Sequence, residues 1–92
     1  MIEALLGKPK AITLNGAQFY LSRPTMADMV AAQHEQAKGD AVWFQRWMIW
    51  NHLRRADLGR VLTSPEEADR IEASTAMEIL REIDQLWGEG RD

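Results

Sequence analysis

The chain has 92 residues, 46% of them apolar and 27% charged, with a formal net charge of −3 and no cysteine. This size makes one domain, and the composition is that of a globular chain rather than a disordered one. Disulfides, thiolate zinc sites and cysteine nucleophiles are excluded, and the longest apolar run falls short of the roughly 20 residues that a membrane-spanning helix needs.

Residues 1–9 form an N-terminal arm, in which MIEALLGKPK carries an early acid, Glu3, and does not read as a secretory signal. Residues 10–22 read as a β-hairpin. Asn15-Gly16 sits between two alternating stretches, AITL and AQFYL, and Asn-Gly is the strongest short hairpin signal. A two-residue turn there pairs Leu14 with Ala17 and Ile12 with Phe19. These four and Leu21 then share one face, while Thr13, Gln18 and Tyr20 take the other. Two strands alone are marginal in water, so the apolar face must lie on helices or on another chain.

Pro24 ends the second strand, and Thr25 with Asp28 three residues on reads as a capping box. A helix is expected over residues 25–38, with Met26, Met29, Val30, Gln33 and Ala37 along one face and Gly39 as its stop. Asp40 caps a second helix over residues 41–58, closed by Gly59. Ser64-Pro65-Glu66-Glu67 starts a third helix, taken as continuous over residues 65–87. A break near residues 73–75 is the alternative, because Thr75 and Glu78 could form a second capping box. Residues 88–92 read as a fraying tail. The expected fold is therefore α+β: a two-stranded antiparallel hairpin packed on a three-helix bundle, mostly α, with the second helix at the centre.

The second helix is the most unusual segment. Its AVWFQRWMIW run holds three tryptophans, a phenylalanine, a methionine and an isoleucine in barely three turns. On a helical wheel Trp43, Trp47 and Trp50 share one side and Phe44 and Met48 another. Val42, Ile49 and Leu53 widen the apolar arc, leaving Gln45, His52 and Ala56 as the wet edge. That is more apolar surface than one stripe of a surface helix requires. Part of it is either the core of the bundle or an interface.

Charge is unevenly placed. Four arginines (46, 54, 55 and 60) oppose one acid between Ala41 and Arg60, whereas nine acids oppose three arginines from Val61 onward. Two adjacent helices of opposite sign explain this simply, with each exposed pair contributing about 0–1 kcal/mol. A nucleic-acid surface built on Arg46, Arg54, Arg55 and Arg60 is the rival reading. The acidic segment beside it would repel phosphate, and a recognition helix presents polar tips where this one presents tryptophan. No catalytic motif, glycine-rich phosphate loop or cofactor signature occurs. His34 and His52 have no ligand partner at useful spacing, so neither an enzyme nor a metal centre is expected.

Methionine fills core gaps by default, yet its flexibility also suits a surface that accepts varied apolar partners. Together with the tryptophan surplus, this selects Met26, Met29, Trp43, Phe44, Trp47 and Trp50 as candidate protein-binding residues. The face would serve either a client or a second copy of the chain.

The stretch ITLNGAQFYLSRPTMADMVAAQ resembles the N-terminal part of small tail assembly chaperones of tailed bacteriophages and prophages. In those families a hairpin of the form T-L-x-G-x-x-Y/F-x-L leads into a helix start marked by arginine, proline and an acid. Here Thr13, Leu14, Gly16, Phe19, Leu21, Arg23, Pro24, Thr25 and Asp28 carry the match. The doubled arginine of some members is Ser22-Arg23, and the helical remainder agrees only in size and acidic character. The resemblance implies a non-enzymatic protein of the bacterial cytoplasm. It would coat a long, apolar, helical tape-measure protein and be displaced as tail-tube protein is recruited. No membrane partner is expected, and nucleic acid is disfavoured.

Overall fold

The computed structural model describes residues 7–89. The expected arm over residues 1–9 and the tail over 88–92 thus lie partly outside the described residues. Strands β1 (Lys10–Leu14) and β2 (Ala17–Leu21) form the expected hairpin, with Ile12 opposite Phe19 and Leu14 opposite Ala17. Asn15 (φ 52°) and Gly16 (φ 83°) supply the left-handed pair that a two-residue turn of this hand requires. Leu14 and Leu21 are buried, and Ile12 and Phe19 pack against the same core.

Helix α1 (Met26–Gln36) starts at the expected capping box. The Asp28 N–H donates to Thr25 Oγ1 at 3.2 Å, and the Thr25 N–H donates to Asp28 Oδ2 at 2.9 Å. Gly39, at φ 75°, turns the chain, and Asp40 caps α2 (Ala41–His52) by accepting the Trp43 N–H at 2.9 Å.

The helix expected over 41–58 stops six residues early. Leu53–Arg54 is a third strand, β3, antiparallel to β2, with Leu53 opposite Leu21 and Arg54 opposite Tyr20. Extended geometry places Leu53 in the core beside Leu21 and Ile49. It also lets the Arg54 guanidinium fold back on the helix end, donating to the Asn51 carbonyl at 2.8 and 3.1 Å. Cationic donors at the last carbonyls of a helix suit both its unpaired acceptors and its dipole. Gly59 therefore does not end a helix. It closes a tight turn in which the Arg55 N–H donates to the Gly59 carbonyl at 2.8 Å and Leu58 takes φ 68°. The sheet is three-stranded, in the order β1-β2-β3.

The single helix expected over 65–87 is also two elements. A 3-10 helix (Pro65–Arg70) ends at Ile71, whose φ −79° and ψ 135° are extended, and α3 runs over Ala73–Gly88. The break precedes residues 73–75. Thr75 and Glu78 form no capping box; the Ser74 and Thr75 hydroxyls instead donate to the Glu72 carboxylate. Ser64 makes no side-chain cap bond, and Glu67 reaches back to the Thr63 N–H and hydroxyl. The change of direction lets Ala68 and Ile71 reach the core that Ile79, Ile83 and Leu86 line from α3. The molecule is thus α+β and mostly helical, with α2 against α1, the 3-10 helix and α3.

Candidate protein-binding groove

Helix α1 packs the opposite way round from its apolar pattern. Met26 is 74% exposed, Val30 63% and Met29 48%, and Gln33 and Ala37 on the same stripe are exposed as well. Toward α2 it presents Asp28, Ala32 and Glu35 instead. Asn51 Nδ2 donates to Asp28 Oδ1 at 2.9 Å, and Trp43 Nε1 donates to Glu35 Oε2 at 2.5 Å. Ala32 is the one buried residue of α1. Burial alone would raise the Asp28 carboxyl, but donors from Asn51 and the Thr25 N–H outweigh it and hold Asp28 below the usual carboxylate range. Hydrogen bonds from Lys38 and Trp43 likewise keep Glu35 low.

The tryptophans that dominate the sequence are not the open surface. Trp47 is buried, and the Phe44 ring stacks on it at 5.9 Å between centroids. Trp43 and Trp50 are partly covered. The Lys38 ammonium lies 5.7 Å over the Trp43 ring, and the Arg60 guanidinium lies 4.2 Å over that of Trp50. Trp50 Nε1 is buried without a hydrogen-bond partner among the described residues.

One open apolar surface lies where α1, α2 and the end of α3 diverge. There a groove of about 640 Å³ has Met29, Ala32, Phe44, Met48, Leu86 and Trp87 as its apolar lining. Arg23, Gln33, Gln36, Asp84 and Glu89 bring polar groups to it. Two of the six expected residues, Met29 and Phe44, are in the groove, and Met26 stands exposed on α1. Trp43, Trp47 and Trp50 are not among its lining residues. Ala32, Met48, Leu86 and Trp87 are additions. Met48 carried a signal on the wheel beside Phe44, whereas Leu86 and Trp87 read only as core spacing on a distant helix.

His52, expected at a wet edge, is fully buried. Its Nδ1 lies 2.7 Å from the Ser22 carbonyl and its Nε2 accepts from Trp87 Nε1 at 3.1 Å. These partners fit the neutral ring protonated at Nδ1. Burial pushes its pKa down. His52 thereby holds Trp87 in place at the groove.

The four arginines of the rival reading are each engaged within the chain. Arg46 pairs with Asp69 at 2.7 Å, and Arg55 with Asp57 at 3.4 Å. Arg54 donates to the Asn51 and Leu58 carbonyls, and Arg60 donates to Asn51 Oδ1 at 3.2 Å. Among the described residues no group of three His, Asp or Glu side chains could hold a metal ion, and no helix is long and apolar enough to cross a membrane. The fold and groove together define a small α+β chain with a cleft between helices that its described residues leave open. Scans against protein-family models, curated proteins and solved structures each find no match.

Proposed function

We propose that this chain is a non-enzymatic tail assembly chaperone of a bacteriophage or prophage. It holds an apolar tape-measure protein soluble in the bacterial cytoplasm until tail-tube protein displaces it. The observation that carries the reading is the reversed α1. A helix that turns its methionines and valine to solvent, beside an apolar groove that the described residues leave unfilled, presents surface that water alone covers poorly. The hairpin and capped helix start that carry the family resemblance form as that resemblance implies, which supports the reading further. Methionine on both walls suits a client whose side chains vary along its length. Moderate affinity repeated over several copies would keep the client coated yet allow displacement.

Co-expression with a tape-measure protein tests this. The client is expected in the soluble fraction with the intact chain, and in the pellet when Met26→Glu and Val30→Glu are combined. A client equally insoluble with and without the intact chain would overturn the proposal.

A further inference from the structure

His52 ends α2 where Ser22 and Trp87 meet it, and its ring has no exposed surface. Each ring nitrogen faces a group with one fixed role. Nδ1 lies 2.7 Å from the Ser22 carbonyl, which can only accept. Nε2 lies 3.1 Å from Trp87 Nε1, whose N–H can only donate. The Ser22 N–H donates in turn to the His52 carbonyl at 2.9 Å, which pins the residue beside that acceptor. Only the neutral ring satisfies both contacts. A second proton has to go on Nε2, where it points at the indole N–H, and Nε2 has no other partner among the described residues.

The groups around the ring do not relieve that conflict. Asp28 from α1 favours the charged ring, Arg54 from β3 opposes it, and α3 presents the uncharged indole. The Ser22 hydroxyl, 3.2 Å from Nδ1, is neutral as well. Burial outweighs the help of the Ser22 carbonyl and Asp28, so the ring charges only below the ordinary 6.5. Trp87 is the next-to-last residue of α3 and is half-buried, whereas Ile79, Ile83 and Leu86 hold the helix up to that point. Beyond it, the side-chain tie among the described residues is the Arg23–Glu89 pair at 2.6 Å, a half-exposed contact that solvent screens. The indole can therefore move while the core stays in place.

We infer that His52 is a proton-operated latch on the groove. A proton taken from water at Nε2 breaks the Trp87 hydrogen bond, and the indole swings out so that water can accept from the new N–H. Met29, Phe44, Met48 and Leu86 keep their places, while the wall that Trp87 supplies opens. The latch is a property of the free chain, whatever occupies the groove.

Proton–nitrogen correlation spectra of the full chain give one indole resonance for each tryptophan, and sequential assignment identifies that of Trp87. As pH falls below 6.5, this resonance should move in step with titration of the His52 ring, while amide protection at Ile79 and Ile83 persists. Trp87→Phe keeps an aromatic ring but donates nothing. It should raise the proton affinity of His52 about fivefold, or about 0.7 pH unit, the scale of one hydrogen bond. A Trp87 resonance unmoved through the His52 titration would overturn the inference, as would a His52 that titrates at the same pH in a folded Trp87→Phe. Loss of Ile79 and Ile83 protection together with the Trp87 shift would do so too, because that is unfolding rather than a latch. Should Trp87→Phe not fold, the two titrations of the parent chain decide alone.

Discussion

Single residues in this molecule take roles that their neighbours assign. His52 is the clearest, placed by helical periodicity at a solvent edge and found with no exposed surface between Ser22 and Trp87. Its folded pKa lies below the ordinary 6.5, because charging it would place an imidazolium in the core. The unfolded chain then binds a proton that the folded chain refuses. Its contribution to stability is complete above about pH 6.5 and is lost as pH falls, by at most about 1.4 kcal/mol per pH unit. Urea midpoints measured at pH 7.5, 6.5 and 5.5 should fall over the lower interval, and the same interval should be flatter in His52→Gln. The Asp28 carboxylate lies outside that window, since its stabilisation is lost only in more acid solution.

At the scale of elements, α1 is held to the rest by polar ties more than by apolar burial. Asn51 of α2 is buried, donating to Asp28 of α1 and accepting from Arg60 in the loop beyond β3. Asn51→Ala strips a donor from one charged group and an acceptor from another. It should cost about 1–3 kcal/mol in urea denaturation, and should speed hydrogen exchange of α1 amides more than those of α3. Local signals were sufficient for the hairpin, for the capped start of α1 and for the start of α2, because each rests on residues within a few positions of one another; the helix expected to reach residue 38 ends at Gln36. They misplaced the end of α2. Leu53 continues the helical spacing, yet a partner thirty-two positions earlier, Leu21, draws it into a sheet. The 3-10 segment shows the same competition: Pro65 and its glutamates start a helix, and the core then takes Ile71 in extended form.

At the scale of the whole molecule, a core of eight buried residues among those described joins the sheet, α2, the 3-10 helix and α3, and α1 contributes none of them. Stability and binding should therefore separate. Ile83→Ala, at a position 1% exposed, should cost about 2–5 kcal/mol. Val30→Ser, on the exposed stripe, should stay within about 0.5 kcal/mol of the parent, while weakening client solubilisation on co-expression. Calorimetry and the solubility assay, run on the same two variants, check both halves.

Amino-acid order was enough to establish the α+β class, the hairpin with its register and the capped starts of α1 and α2. It also marked Met29 and Phe44 as surface candidates, through residue type rather than place. Which side of α1 faces inward was a tertiary decision. Its apolar stripe and its Asp28–Ala32–Glu35 face are both compatible with a helix. Donors on α2, Asn51 and Trp43, made the second face the better fit to the core. The same holds for the tryptophans: pattern could count them, but only the packed chain supplied Lys38 and Arg60 to cover two of them and Phe44 to stack on the third. Periodicity reports which side chains share a face. The partners that meet that face come from segments far along the chain, and their donors, charges and shapes settle whether it is buried or left open.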